Sequence, residues 1–570
     1  MESQAAPPFR LESRWIGGLP IVNALLHRLR VDALLARTLP PPDPRAKLAP
    51  SAALGVLLRN IVLNQRRPLY TQAEWAAQAE PALLGLPPGP AGLFNDDRLG
   101  RALDLLFQAD RASLMTELVV RAIGEFRVDL RRLHNDSTTV TFSGDYPGAD
   151  GRAVLGRPTL RVTHGHNKDH RPDLKQLLFI LTVSADGAVP IHYKALDGNT
   201  ADSATHIGTW DTLRRLAGRP DFLYVADCKL CSPASLAHIA KQGGRFITVL
   251  PRSRREDRWF RRFVQVHEPP WEEAVRRPNP RRRAGPDDVW RVVEAGLPSR
   301  EGYRIVWVWN SLMARQDAEA RQARIEKAWL AIERLQTKLQ GPRCRYRSLV
   351  RVERAAYRIV DESGAGRWVS YQVEQRDEPL FRQERRGRPG AQTRYVRKWR
   401  PRFSVSLKTR QDALERDSRS DGMFPLITNC WDRSKAEILE AYKFQPRLEK
   451  RHEQLKAVED VAPVFLKNAA RIEALLFLYF VALLVQALLE REVRQAMERE
   501  KIQMLPLYPE ERECRAPTTE RILRLFEPLQ RHRLRDGDTL VQTFEPKLDE
   551  LQCRVLQLIG LPDAAFTTTT

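Results

Sequence analysis

Cysteine is scarce in this chain: six residues in 570, with Cys228 and Cys231 forming the one close pair. Six scattered thiols exclude a disulfide framework of the kind that staples small secreted domains. The Cys228-x-x-Cys231 pair has no second pair at zinc-ribbon spacing, and it reads as two incidental small residues. Long apolar runs are also lacking. The longest is Ala474–Leu489, sixteen residues that include Gln486 and are flanked by Glu473 and by Glu490 and Arg491. As a helix it would reach about 24 Å, short of a hydrocarbon core of about 30 Å, so a buried core helix is expected and no membrane partner. Met1-Glu2-Ser3-Gln4 has neither the basic nor the apolar block of a signal peptide. A reducing, cytoplasmic setting is the expectation. Internal repeats are missing as well.

Basic charge, by contrast, is abundant. The net charge is +22 and the pI about 10.0, which makes a polyanion such as nucleic acid the first partner to consider. The charge is concentrated. Residues 251–410 hold 39 Lys and Arg against 20 Asp and Glu, or +19 of the chain's +22, and four of the 39 are Lys. Arginine offers phosphate a planar fork of donors that lysine lacks. Trp259, Trp271, Trp290 and Trp307 are interspersed with this charge.

Taken in order, residues 1–128 read as a helical domain suited to DNA binding. Apolar residues lie on one face at Ile21, Val22, Leu25, Leu26 and Leu29. Ser51 is a plausible N-cap for a helix over 52–63, and Asn95-Asp96-Asp97 opens another. Pro40–Pro42 and Pro87–Pro90 read as loops. The period then changes. Strands are expected at Leu133–Phe142, Thr159–Thr163, Gln176–Val183, Phe222–Asp227 and Phe246–Leu250, with a helix over Asp202–Leu216 and another beginning at Ser232-Pro233. That order is α/β with an antiparallel start. The turn from His164 to Asp173 contains three histidines, which turn chemistry explains as well as a metal site does.

The Arg-rich block 251–415 reads as a separate insertion. It has a helical seam at Ile325, Trp329, Ile332, Leu335 and Leu339, and strands at Tyr303–Trp309, Ser348–Val352, Trp368–Val373 and Phe403–Leu407. Residues 416–495 return to the α/β pattern, with a strand near Asp421–Asn429, a helix over Ser434–Lys443 and a new helix starting near Pro446. Residues 496–570 read as a helical tail, frayed at Thr567–Thr570.

Three acids stand out: Asp136 in the first strand of the α/β part, Asp227 ending the fourth, and Glu449 on a late helix. If the first and fourth strands are neighbours, Asp136 and Asp227 lie side by side. Paired carboxylates repel unless a cation lies between them. Mg²⁺ takes hard oxygen ligands, and two such ions support phosphodiester chemistry.

These residues resemble the DDE transposases of bacterial insertion sequences, in the subgroup with a Tyr-x₂-Arg-x₃-Glu-x₆-Lys signature. Tyr442, Glu449 and Lys456 fall on that spacing, while Gln445 stands where the Arg is expected and Arg447 follows two residues later. Similar stretches are His134–Thr139, Lys168–Gln176, Gly198-Asn199-Thr200, Val225-Ala226-Asp227 and Asp421-Gly422-Met423-Phe424. The likeness runs from about residue 95 to 490. It implies a multidomain α/β protein whose ribonuclease-H-like mixed sheet, residues 129–250 and 416–495, is interrupted by a mainly β insertion. It also implies catalysis and metal binding by Asp136, Asp227 and Glu449, with Mg²⁺ or substituting Mn²⁺. DNA contacts would come from Tyr442, Arg447 and Lys456. The partners implied are double-stranded DNA, as inverted-repeat ends and target, and a second copy in a homodimer. The setting is cytoplasmic, on the nucleoid. Two alternatives stay open: a nuclease that only hydrolyses DNA, and an inactive relative that only binds it.

Overall fold

The computed structural model describes residues 9–41, 48–63, 69–86, 94–278, 285–341, 344–456, 466–508, 510 and 512–567. The expected loop at Pro87–Pro90 and the last three residues of the expected frayed end therefore lie outside the described residues. The protein is a multidomain α/β chain made of two compact units, residues 1–248 with 441–570, and residues 249–440.

The first unit begins with strand β1 (Phe9–Trp15) and six helices: α1 (Leu19–Arg28), α2 (Val31–Thr38), α3 (Pro50–Val62), α4 (Gln72–Gln78), α5 (Asp96–Gln108) and α6 (Arg111–Phe126). Helix α3 starts one residue before the expected cap, because Pro50 suits a first-turn position and Ala49 takes the cap. Asn95 does cap α5, accepting from Arg98 N at 2.9 Å.

Strand β2 (Arg132–Phe142) follows, then a two-residue pair, β3 (Ala153–Val154) and β4 (Arg157–Pro158). The strand expected at Thr159–Thr163 is reduced to single bridges at Arg161 and Thr163. Next come β5 (Lys175–Ser184) and β6 (Pro190–Asp197), a hairpin whose second strand was not anticipated. Helix α7 (His206–Ala217), β7 (Leu223–Ala226), α8 (Pro233–Lys241) and β8 (Arg245–Val249) complete this stretch. The strand order is β6-β5-β2-β7-β8. The pairs β5–β6 and β2–β5 are antiparallel, whereas β2–β7 and β7–β8 are parallel.

The second unit has strands β9 (Glu272–Arg277), β10 (Asp288–Glu294), β11 (Arg304–Asn310) and β14 (Met423–Thr428) in the antiparallel order β14-β11-β10-β9. A long hairpin, β12 (Val369–Gln383) and β13 (Tyr395–Thr409), forms a separate ribbon. Helices α9 (Arg255–Val266), α10 (Ser311–Gln340), α11 (Leu349–Ser363) and α12 (Gln411–Ser418) accompany them. The strand expected at Ser348–Val352 is the start of α11. Val352, Ala356 and Val360 repeat every four residues and fill its buried face. In α10, Trp329 is 45% exposed and Ala328 takes the inward place, so the buried seam is Ile325, Ala328, Ile332, Leu335 and Leu339.

After α13 (Lys435–Tyr442), the first unit resumes with α14 (Gln445–Lys456) and α15 (Ala469–Arg499). Helix α15 is long and apolar enough to cross a membrane, yet its most apolar part is almost wholly buried. A helix apolar on all sides belongs in a core. Its polar exceptions are matched: Gln486 donates to Val62 O at 3.0 Å, and Glu490 pairs with Arg451 at 2.8 Å. The tail is less helical than its sequence suggests. It contains the hairpin β15 (Gln530–Asp536) and β16 (Thr539–Phe544), and β15 pairs with β1.

Candidate active site

Register decides which acids meet. In the parallel β2–β7 pair, His134 faces Val225 and Asn135 faces Ala226. The next residue on each chain is an aspartate, so Asp136 and Asp227 come together where β7 ends. Asp227 turns the chain there: its carboxylate accepts from Lys229 N at 3.1 Å, and its carbonyl accepts from Thr248 Oγ1 at 2.5 Å. Cys228 follows in a single 3₁₀ turn. Burial and the Asp227 charge raise its thiol pKa, which leaves it a poor nucleophile.

Both carboxyl groups are hard to ionise. Burial raises Asp227 to about 6, and the Asp136 charge adds to the effect. Burial also raises Asp136, against the opposing pull of Lys168. Glu449 lies at the surface on α14, and its partial shielding from solvent, then the Asp136 charge, raise its carboxyl pKa, so it lies within electrostatic reach of Asp136.

The turn between β4 and β5 delivers Lys168 to this pair. Asn167 Oδ1 accepts from Asp169 N at 2.8 Å and Arg171 N at 3.2 Å, while Asn167 Nδ2 donates to Gln176 Oε1 at 2.9 Å. Gln176 Nε2 in turn donates to Gly198 O at 2.8 Å. A Cβ on Gly198 would lie 2.0 Å from Gln176 O, so only glycine allows the backbones this close. Held in this way, Lys168 Nζ sits 3.5 Å from Asp136 Oδ1 and 3.5 Å from Asp202 Oδ2. It also donates to Ser137 O at 2.5 Å and Ser137 Oγ at 2.7 Å. The Ser137 hydroxyl donates to Asp202 Oδ2 at 3.0 Å.

Asp202, Lys168, Ser137 and His452 are site residues that sequence reasoning did not assign. Lys168 lies in a stretch already noted, and Asp202 lies two residues beyond another. His452 is buried beside the pair, with Nδ1 3.7 Å from Asp136 Oδ2, and burial lowers its pKa to about 3. It is therefore neutral at any ordinary pH. Its position three residues after Glu449 on a helix was the available signal.

Helix α14 is anchored from behind. Arg451 pairs with buried Glu490 on α15 and donates to Ala188 O at 3.2 Å and Gly187 O at 3.3 Å. Of the remaining expected site residues, Tyr442 is close enough to Asp227 that this charge, after burial, raises its phenol pKa. Lys456 pairs with Asp169, which ties α14 to the Lys168 turn. Exposed Arg447 lies over the Phe444 ring, 5.1 Å from its centre. Gln445, at the position of the missing arginine, lies near buried His134, whose pKa burial lowers to about 3.

Among the described residues, no three His, Cys, Asp or Glu side chains converge closely enough to ligate one ion as they stand. The donor chemistry of Asp136 and Asp227 still suits a hard divalent cation: two carboxylates raised by burial and, at Asp227, by the neighbouring charge are what such an ion relieves. The Lys168 ammonium relieves part of that repulsion.

A family model described as a domain of unknown function, DUF4277, matches residues 11–120. That match covers the N-terminal helices and stops short of β2, so it says nothing about the acids. No curated protein matches the chain.

Proposed function

We propose that this protein is a DDE-type transposase that cleaves DNA at the ends of an insertion sequence and joins the freed ends to target DNA. The observation that carries the reading is the β2–β7 register, which sets Asp136 beside Asp227 at the end of a parallel strand pair. The Arg-rich second unit supplies the charge that a polyanionic substrate requires.

In this reading Asp136 and Asp227 hold Mg²⁺, or Mn²⁺ in its place, and Glu449 completes the site when DNA is bound. Such ions, when bound, activate a water or a 3′-hydroxyl and stabilise the leaving oxygen. Lys168 and Ser137 orient Asp136 and Asp202. Neutral His452 fills the wall behind Asp136 without adding a second positive charge. Arg451 fixes α14, so that Glu449 is presented from a rigid helix. Tyr442, Arg447 and Lys456 face the DNA. The N-terminal helices contact the inverted repeats, and two copies pair to bring two ends together on double-stranded DNA in the cytoplasm.

The test is strand transfer. DNA from both flanks of the gene, pre-cut to expose a 3′-hydroxyl, is incubated with the protein, Mg²⁺ and a target plasmid. Joined product is expected. Hydrolysis without joining would instead indicate a nuclease, and binding without either reaction would indicate an inactive DNA-binding relative.

A further inference from the structure

The second unit contains a cavity of about 530 Å³ lined by seven arginines and three aspartates, an excess of four positive charges. Helices α9 and α10 form two of its walls, and Arg367 and Trp368 just before β12, with Asp417 at the end of α12 and Ser420 and Asp421 after it, close it. The arginines divide into two groups by what they touch.

Three are committed to the fold. Arg261 pairs with Asp257 at 2.9 Å and donates to Ser420 O at 3.0 Å. Arg321, buried, pairs with Asp421. Arg367 pairs with Asp417 at 2.7 Å. The third aspartate, Asp317, accepts from Gly422 N at 2.8 Å. Each cavity acid is therefore engaged by an arginine or a backbone N–H.

The other four have no acid left to them. Arg258 and Arg262 stand one turn apart on α9, Arg324 faces them from α10, and Arg252 lies just before α9. Among the described residues, none of the four has a side-chain hydrogen bond or ion pair within the protein. All four are exposed at the rim of the cavity. Four unneutralised guanidinium groups around one concavity repel each other, and an anion with several charges relieves that repulsion. The indole of Trp368 forms a flat patch in the same wall, fixed by its Nε1 donating to Asp417 at 2.8 Å. Guanidinium forks suit phosphate oxygens, and an indole face suits a sugar or a base.

We infer that this cavity is a backbone-binding subsite that takes successive phosphates of a DNA strand, with Arg258, Arg262 and Arg324 as its phosphate ligands. The inference rests on the transposase reading for the identity of the polyanion. It assigns to α9 and α10, rather than to the acid site, a grip on the strand that does not depend on metal or sequence.

The experiment compares full-length wild type with R258Q/R262Q/R324Q and the charge-keeping R258K/R262K/R324K. DNA binding is measured by fluorescence anisotropy, without divalent metal, across a range of salt concentrations. Each lost phosphate contact reduces the slope of log K against log salt by about 0.9, so the Gln variant should be shallower by about 2.7 and roughly 100-fold weaker near physiological salt. The Lys variant should keep the wild-type slope. An unchanged slope in the Gln variant overturns the subsite. So does calorimetric binding of inorganic pyrophosphate that the Gln variant loses while its DNA slope stays at the wild-type value, since that describes a free-phosphate site. The two readings fail separately. An unchanged slope in a protein that still nicks DNA removes the subsite alone. A wild type that never nicks, with the slope change present, removes the transposase reading alone.

Discussion

Lys168 Nζ stands 3.5 Å from Asp136 Oδ1, and the same ammonium lies at the same distance from Asp202. A tethered cation thus holds two carboxylates in a site whose proposed work is to bind a mobile one. The ammonium and a divalent ion compete for the same negative potential. Lys168→Met should therefore bind Mn²⁺ more tightly, on the order of tenfold or about 1.4 kcal/mol, when titrated by calorimetry or electron paramagnetic resonance. Unchanged or weaker binding would show that Lys168 does not act as the competing cation.

The pH dependence of the site follows from Asp227, whose carboxyl is raised to about 6 from 3.8 by burial and the Asp136 charge. Protons and metal compete for this group, so Mn²⁺ affinity should fall as pH drops through about 6. Stability moves the opposite way. A group raised in the folded state contributes stability that is fully present below its unfolded pKa, 3.8, and is lost as pH rises through about 6. Asp227→Asn should accordingly raise the metal-free melting temperature at pH 8 and leave it almost unchanged at pH 4. Equal effects at both pH values would contradict this account.

Arg451 and Glu490 form a buried pair with side chains 4% and 5% exposed. Arg451→Ala removes this bond and those to the Gly187 and Ala188 carbonyls, while Glu490 keeps Arg494 at 3.3 Å and the Thr519 N–H at 3.0 Å, so the cost is that of a buried charged hydrogen bond, about 1.5–3 kcal/mol. Chemical denaturation should show a loss of that size. A change below about 1 kcal/mol, typical of an exposed pair, would mean that α14 is anchored some other way.

Gly198→Ala should disturb the Lys168 turn from a distance. The added methyl would meet Gln176 O and Thr163 O, both backbone atoms that cannot rotate away. A lower melting temperature is expected, together with a Mn²⁺ affinity shifted toward that of Lys168→Met. Wild-type behaviour in both would show that the turn tolerates the methyl.

Much of the acid site is legible in the sequence. Asp136 and Asp227 are marked as carboxylates on apolar, β-branched stretches, and their meeting requires only that the first and fourth expected strands be neighbours. The parallel register delivers that. Asp202 was not legible, and His452 was marked only by its place three residues after Glu449. Each is a common polar residue on a helical turn, and only the tertiary approach of Lys168 to Asp202 and of Asp136 to His452 gives it a partner. The same limit explains α11. Its first residues are as β-branched as a strand, and the four-residue spacing of Val352, Ala356 and Val360 becomes decisive only over its full length. Strands β1 and β15 pair Trp15 with Gln530 and Phe9 with Asp536, from opposite ends of the chain, and no local pattern announces such a pairing.

The central claim is that Asp136, Asp227 and Glu449 act together in metal-dependent DNA cleavage. It is tested most directly by nicking of supercoiled plasmid carrying the element ends, with Mg²⁺ or with chelator, by wild type and by Asp136→Ala, Asp227→Ala and Glu449→Ala. The account predicts Mg²⁺-dependent nicking by wild type, and loss of at least about 100-fold in each variant, or about 2.7 kcal/mol of barrier, with DNA binding retained. Nicking by Asp227→Ala at the wild-type rate, or wild-type nicking that survives the chelator, would contradict it.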